Sequence, residues 1–125
     1  MPADFALTTL RVFVRDFPRA VAFYTDAVGL TLALRSDELG WAELDTGAAR
    51  LALERVAPGD TEGAALVGRF VGASLAVADI DASYARLRAR GVEFVAPPER
   101  MPWGGVLAHF RDPDGNLLTL VSARP

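Results

Sequence analysis

The feature that most constrains the fold is an internal repeat of about 60 residues. When the two halves are aligned so that Asp16 matches Asp79, Gly29 falls within one residue of Gly91. An offset larger by four residues aligns the hairpin at Asp45 with the hairpin at Asp112. In each half the hydrophobic periodicity indicates a strand, a helix and then three strands. Self-similarity at a fixed spacing is typical of one supersecondary unit used twice. The repeat therefore predicts an α+β fold made of two tandem βαβββ modules.

The repeat also indicates the domain organisation. A chain of 125 residues has the size of one domain, so residues 1–125 are expected to form a single unit. The first module is expected over about 5–55 and the second over about 70–123. Between them, about 56–69 is polar and marked by Gly and Pro, which is typical of a connecting segment.

Each predicted helix has a start signal and a stop signal. Asp16 and Asp79 are suitable N-cap residues, because a carboxylate oxygen can accept hydrogen bonds from the free amides of a first helical turn. Gly29 and Gly91 follow the last helical positions, where glycine adopts the left-handed conformation without strain. The two helices are therefore expected to lie between these residues.

Residues 112–116, with the sequence DPDGN, predict a tight turn between two strands. Pro113 presets the φ angle of a type I turn, and Gly115 suits a left-handed position. We interpret the aspartates of this turn as structural rather than catalytic. If residue 112 pairs with residue 116, His109 lies opposite Thr119 on the same face of the sheet.

Composition excludes several classes of chemistry. The chain has no cysteine and no lysine, so disulfides, thiolate metal sites, iron–sulfur clusters and Schiff-base chemistry are ruled out. Its one histidine, His109, cannot build a site of two or three imidazoles. A net charge of −3 with scattered arginines predicts no nucleic-acid binding. No basic leader and no apolar stretch of ~20 residues is visible, so we expect a cytoplasmic protein that binds no membrane.

Strand alternation predicts which side chains face away from the helices. In each module one helix covers one face of the sheet, which leaves the other face open. The expected open-face residues of three strands are Thr9, Arg11 and Phe13; Arg50, Ala52 and Glu54; and Leu117, Thr119 and Val121. Two curved antiparallel sheets with faces of such mixed polarity would enclose a cleft.

These segments resemble the glyoxalase/bleomycin-resistance/dioxygenase family, also called the vicinal oxygen chelate superfamily. The resemblance rests on Leu10 to Asp16, Ala22-Phe23-Tyr24 and Val28-Gly29-Leu30 in the first module, and on Leu75 to Asp79, Gly91-Val92, Trp103-Gly104-Gly105 and residues 112–116 in the second. The order and spacing of these segments cover nearly the whole chain. The resemblance implies paired βαβββ modules and, often, a homodimer whose clefts use both chains.

Enzymatic members of this family hold a divalent metal through one residue from each of four strands, usually His, Glu or Gln. The resemblance places these positions on Thr9, Ala52, Ala73 and Thr119. Hydroxyl and methyl side chains are poor ligands for such a metal. Glu54 and His109 are the nearby alternatives, and two ligands make a weak site. We therefore expect no metal and no other cofactor.

What remains resembles the metal-free, drug-binding members of the family, which sequester a toxic molecule in a cleft. The side chains expected to contact a small-molecule ligand are Arg11, Phe13, Trp41, Glu54, Trp103 and His109. Aromatic faces attract planar and cationic ligands through dispersion and cation–π interactions, roughly 0.5–2 kcal/mol per contact. Glu43 is interpreted as the partner of Arg50 in a cross-strand ion pair.

Two other functions stay open. His109 could act as a general acid or base in a lyase, isomerase or dioxygenase-like enzyme, with or without a non-standard metal site. Alternatively, the chain forms a structural or partner-binding dimer with a vestigial cleft. Trp41 also has a second interpretation, since it could simply cover the edge of its sheet. We favour a binding protein over an enzyme.

Overall fold

The computed structural model, which describes residues 4–122, contains two β-sheets. Within that part of the chain the strands are β1 (Thr9–Val14), β2 (Thr31–Ser36), β3 (Trp41–Asp45), β4 (Arg50–Arg55), β5 (Phe70–Val77), β6 (Glu93–Phe94), β7 (Glu99–Arg100), β8 (Val106–Arg111) and β9 (Leu117–Ser122). The helices are α1 (Phe17–Ala22), α2 (Thr61–Ala64) and α3 (Ile80–Ala89), and α1 continues directly into a π-helical segment, Phe23–Val28.

Each half of the chain builds one sheet. The strand order is β1-β4-β3-β2 in the first sheet and β5-β9-β8-β6 in the second, where β7 also pairs with β8. This arrangement confirms the predicted α+β fold with two βαβββ units. It differs from the antiparallel expectation in one strand pair of each sheet, because β1 runs parallel to β4 and β5 runs parallel to β9. The helix carries the chain back, so β2 starts at the same end as β1, and two reversals then give β4 the direction of β1.

The predicted signals for helix ends are confirmed. Oδ1 of Asp16 accepts a hydrogen bond from the amide of Arg19 at 3.2 Å, and Oδ1 of Asp79 accepts one from the amide of Ala82 at 3.0 Å. Gly29 ends the first helical stretch in the left-handed region, at φ 93°. These local contacts fix where each helix begins and ends, and therefore how it lies on its sheet.

One hydrophobic core joins both sheets and the helices. It includes buried side chains from the first half, among them Val12 and Tyr24, and from the second half, among them Phe110 and Leu118. The rings of Phe23 and Phe110 lie 6.2 Å apart, so the π-helical segment packs against the second sheet. The open faces of both sheets thus lie on the side away from this core.

The second half is less regular than the first. Its sequence predicts a strand over 92–96, whereas β6 covers two residues. Pro97 and Pro98 explain the difference, because proline has no amide to donate and restricts the residue before it. The chain then forms β7, which pairs with the start of β8. None of the helices within residues 4–122 is long and apolar enough to cross a membrane.

Candidate functional site

The open face of the first sheet carries the side chains that strand alternation predicts. Val12 is buried in the core, so Arg11 and Phe13 point to the opposite side of β1. The strand register places Phe13 beside Glu54 on β4, and Glu54 beside Trp41 on β3. Four of the expected ligand contacts therefore share one face of one sheet.

Arg11 is oriented by two of its neighbours. Its NH1 atom donates a hydrogen bond to Oε1 of Glu54 at 3.2 Å, which also makes an ion pair. The guanidinium carbon of Arg11 lies 5.4 Å from the centre of the Phe13 ring. Solvent reaches this pair, so its contribution to stability is small and its main effect is to orient the side chains.

Glu43 connects Trp41 with Arg50. The indole Nε1 of Trp41 donates to Oε2 of Glu43 at 2.8 Å, and NH1 of Arg50 donates to Oε1 at 2.9 Å. The predicted ion pair between Glu43 and Arg50 is thereby confirmed. The hydrogen bond from Trp41, followed by that from Arg50, lowers the pKa of Glu43 below its usual 4.5. The interpretation of Trp41 as a cover for a sheet edge is wrong, because β3 lies between β2 and β4.

On the second sheet, His109 lies opposite Thr119 across β8 and β9, as the turn predicts. Nδ1 of His109 and Oγ1 of Thr119 are 2.8 Å apart and share a hydrogen bond. The ring of Phe70 meets the imidazole edge-on, with 5.7 Å between ring centres. Sequence patterns do not indicate Phe70 as a site residue, because it lies at the start of the second module, just before the strand predicted over 71–77. In the structure, Phe70 is the first residue of β5, and its exposed ring lies on the same side as His109. The sequence could not predict this position, because it did not show where β5 begins.

One of the expected metal positions, Ala73, does not lie on the open face, because the pairing of β5 is irregular. The pairing of β5 with β9 shifts in register before Ser74, and Gly72 in this stretch has φ 78°, where glycine is strongly favoured. As a result Ser74 lies directly beside Thr119. Ala73, which the family resemblance places on the open face, instead packs against the hydrophobic core.

The two open faces meet at a cavity of about 160 Å³. Arg11 and Phe13 line this cavity from the first sheet, and Phe70 lines it from the second. We use the name aromatic face for the surface formed by Phe13, Trp41, Phe70 and His109. The structure therefore brings aromatic residues from both halves of the repeat to one cavity.

Three larger cavities lie elsewhere. One of about 470 Å³ lies between the π-helical segment and the second sheet, and one of about 430 Å³ lies beside the connector that includes α2. A third, of about 260 Å³, is lined by residues of β1, β4 and β5. Among the described residues that line these three cavities, none is an expected ligand contact. The aromatic face is therefore the better candidate, although its cavity is smaller.

Trp103 lies on the loop between β7 and β8. The loop is held by hydrogen bonds from the amide of Met101 to the carbonyl of Gly105 (2.8 Å) and from the amide of Gly104 to the carbonyl of Met101 (2.9 Å). The indole ring packs over Gly105, where a Cβ atom would overlap it. About half of the Trp103 surface is exposed. Its contact with a ligand stays a prediction.

The residues at the family's metal positions do not fit a divalent ion. Thr9, Ser74 and Thr119 offer hydroxyl groups, that of Thr119 already bonded to His109, and Ala52 offers a methyl group. Such groups are weak ligands for the metals that imidazole and carboxylate bind. Within residues 4–122, no three His, Asp or Glu side chains are grouped so that they could hold a metal ion. No chemical step through a metal is therefore derived for this site.

A buried polar network joins the turn of the second half to the helix of the first. Oδ2 of Asp112 accepts hydrogen bonds from the hydroxyl of Tyr24 (2.8 Å) and from Nδ2 of Asn116 (2.9 Å), while its Oδ1 accepts from two turn amides. Burial raises the pKa of Asp112, although these hydrogen bonds oppose the shift. Burial, followed by repulsion from Asp112, raises the pKa of Tyr24 well above 10. The structural role predicted for the turn is thus confirmed.

Comparison with known proteins identifies a protein family that matches nearly the whole length of this chain. The family model of the Glyoxalase/Bleomycin resistance protein/Dioxygenase superfamily matches residues 6–120. The uncharacterized protein YraH of Bacillus subtilis (strain 168) is 33% identical over 122 residues, which cover 91% of this chain and 95% of YraH.

Solved structures agree with this match. TnmS3, an antibiotic binding protein from Streptomyces sp. CB03234, is 32% identical, with a TM-score of 0.72 and 98% of each chain covered. A member of the same superfamily from Sphaerobacter thermophilus DSM 20745 is 30% identical, with a TM-score of 0.77, and the match covers 95% of this chain and 98% of that one.

Proposed function

Because this chain belongs to the glyoxalase/bleomycin resistance protein/dioxygenase superfamily, we propose that it binds a planar aromatic small molecule on the aromatic face, without a metal ion. Its role is then to sequester a drug or a toxic metabolite rather than to transform it. The similarity to TnmS3, an antibiotic binding protein, supports this class of function.

The observation that carries the proposal is that each sheet contributes an aromatic wall to the same cavity. Phe13 and Phe70 line the same cavity of about 160 Å³ from different sheets, and His109 lies edge-on to Phe70. Drug-sized ligands usually occupy about 300–1,000 Å³. The cavity therefore suits one ring of a ligand, and the remaining rings would lie over the open face towards Trp41. Each aromatic contact contributes about 0.5–1.5 kcal/mol beyond area burial.

The charged side chains beside Phe13 and Trp41 form ion pairs with one another, which favours a ligand without net charge at these rings. Arg11 is paired with Glu54, and Arg50 is paired with Glu43. A charged ligand would have to compete with these existing pairs, whereas a neutral ring system gains stacking without disturbing them. Of the planar and cationic ligands expected from the sequence, we therefore favour the planar ligands without charge.

Binding of 1-aminoanthracene, a neutral planar compound whose emission rises in apolar surroundings, tests the proposal. We expect saturable binding and a higher melting temperature, because a ligand that binds the folded state stabilises it. Phe13→Ala and Phe70→Ala should each weaken binding about two- to tenfold. Phe5→Ala is the matched control, since Phe5 is 91% exposed outside the aromatic face. Binding that neither face variant weakens would contradict the proposal.

Ethidium, which is planar and cationic, tests the charge argument separately. We expect it to bind more weakly than 1-aminoanthracene because two arginines, Arg11 and Arg69, line the cavity together with Phe13 and Phe70. The opposite result would be that ethidium binds more tightly than 1-aminoanthracene and that Arg11→Ala increases its affinity further. This result would show that the carboxylates of Glu54 and Glu43 attract a cation and that the ligand is charged.

A second candidate function is general acid–base catalysis by His109, which its hydrogen bond to Thr119 favours. That bond engages Nδ1 and orients the ring, so Nε2 is the nitrogen that could exchange a proton with a bound molecule. Any compound that stabilises the protein should be incubated with it and then recovered. Unchanged compound supports binding alone, whereas loss that disappears in His109→Gln supports catalysis.

We also propose that the protein acts as a homodimer. β2 is an edge strand of the first sheet, and it exposes the apolar side chains Leu32 and Leu34. Such an edge favours association with another chain. Light scattering coupled to size exclusion should give twice the chain mass of 13.4 kDa. A single-chain mass at every concentration would overturn the dimer.

A further inference from the structure

We infer that Asn116 is a positioning residue that sets the separation between Phe13 and Phe70, the two aromatic walls of the cavity. The effect of Asn116 on ligand binding rests on the proposed function. Its contacts with the two walls are independent of that function. Asn116 ends the DPDGN turn, which closes the hairpin of β8 and β9.

Asn116 reaches the first wall through its amide nitrogen. Nδ2 donates a hydrogen bond of 2.9 Å to the carbonyl oxygen of Phe13, which lies 103 positions earlier in the chain. Phe13 belongs to β1, an edge strand of the first sheet. A carbonyl at a sheet edge needs a partner from outside its sheet, and here that partner is a side chain of the other half.

Asn116 reaches the second wall through its amide oxygen. Oδ1 accepts hydrogen bonds from the amides of Gly68 at 2.8 Å and Arg69 at 3.4 Å. Arg69 immediately precedes Phe70, and its carbonyl accepts a hydrogen bond of 2.8 Å from the amide of Leu117. The backbone that leads into Phe70 is therefore held to the same side chain as the backbone of Phe13.

The side chain of Asn116 has no freedom to adjust. It is fully buried, and its second N–H donates to Oδ2 of Asp112 at 2.9 Å. An amide side chain has two donors and can accept two hydrogen bonds at its oxygen, and all four are used here. A longer amide or a carboxylate could not reproduce this set. The distance between the two walls is thus fixed before a ligand arrives, which lowers the ordering cost of binding.

The test compares Asn116→Ala and Asn116→Ser with Tyr24→Phe. The control variant Tyr24→Phe removes a hydrogen bond to Asp112 from the same buried network but leaves every bond of Asn116 in place. Affinity for 1-aminoanthracene is one readout. The other is the fluorine NMR spectrum of protein labelled with para-fluorophenylalanine, in which Phe13 and Phe70 are assigned through their replacement by Leu.

We expect both Asn116 variants to weaken the affinity at least about fivefold, and to shift or broaden the Phe13 and Phe70 resonances together. Tyr24→Phe should keep the affinity within about twofold and leave both resonances in place, even where it lowers the melting temperature. The inference is overturned by a folded Asn116 variant that keeps both resonances, or by equal changes in Tyr24→Phe. It is also overturned if neither Asn116 variant folds while Tyr24→Phe does, because Asn116 is then only structural. If the unmodified protein does not bind 1-aminoanthracene, the proposed function fails, and the fluorine spectra still decide the role of Asn116.

Discussion

The hydroxyl of Tyr24 donates a hydrogen bond of 2.8 Å to Oδ2 of Asp112, 88 positions later in the chain. Tyr24 lies in the π-helical segment of the first half, and Asp112 begins the turn of the second half. Both side chains are buried, so losing this bond would leave a buried carboxylate oxygen with fewer hydrogen-bond partners. The two halves of the repeat are therefore coupled in stability through a polar contact as well as through their common core.

Tyr24→Phe should lower the free energy of unfolding by about 1–3 kcal/mol, because it leaves one acceptor of a buried carboxylate with fewer partners. Chemical denaturation measured by circular dichroism gives this value. Tyr84→Phe is the matched control, since the Tyr84 ring keeps its contact with Phe94 at 4.7 Å between centres. A loss as large in Tyr84→Phe would show that the effect does not come from Asp112.

Stability should fall at alkaline pH because of Tyr24. Its pKa is raised in the folded protein, so above pH 10 the unfolded chain loses the tyrosine proton while the folded chain keeps it. The free energy of unfolding then decreases as pH rises, by at most about 1.4 kcal/mol per pH unit. The chain has no lysine or cysteine, so tyrosine is the type of side chain that ordinarily titrates in this range. Denaturation midpoints should be measured between pH 9 and 11, roughly one unit on either side of the ordinary tyrosine pKa. Tyr24→Phe should remove the decrease of the midpoint with pH. An unchanged decrease would mean that a group other than Tyr24 causes it.

Glu43→Ala should weaken 1-aminoanthracene binding about two- to tenfold, because the carboxylate that orients the Trp41 indole is lost. Arg50→Ala removes the ion pair on the other oxygen of Glu43 and leaves the bond to Trp41. It should therefore change the affinity less than Glu43→Ala. Fluorescence titration measures both variants, and equal effects would mean that the charge pair, not the indole orientation, matters for binding.

Trp103 can be tested as a ligand contact in a Trp41→Phe background, where it is the remaining one of the two tryptophans. If Trp103 contacts the ligand, 1-aminoanthracene quenches its emission, and Trp103→Ala weakens binding about two- to tenfold. Gly105→Ala keeps the indole but forces it off the position above residue 105, so it should reduce the quenching as well. Unchanged affinity in Trp103→Ala would remove this residue from the site.

Much of the site follows from local sequence patterns. The turn at residues 112–116 determines the register of its hairpin, and so His109 could be placed opposite Thr119. Alternation along β1 likewise separates Phe13 from the core. The same reasoning fails at Ala73. Because the pairing of β5 is irregular, Ser74 and not Ala73 lies beside Thr119. Sequence spacing alone does not reveal such a shift in register.

The sequence by itself determined the two βαβββ units, the ends of their helices and the open-face positions of Arg11, Phe13 and His109, because these depend on periodicity and on contacts within a few residues. Only the tertiary structure decided that Phe70 joins the aromatic face and that Asn116 holds it together with Phe13. The physical reason is that these contacts join residues from different sheets, and the way two sheets pack depends on the summed shape and polarity of many side chains, which no local pattern contains.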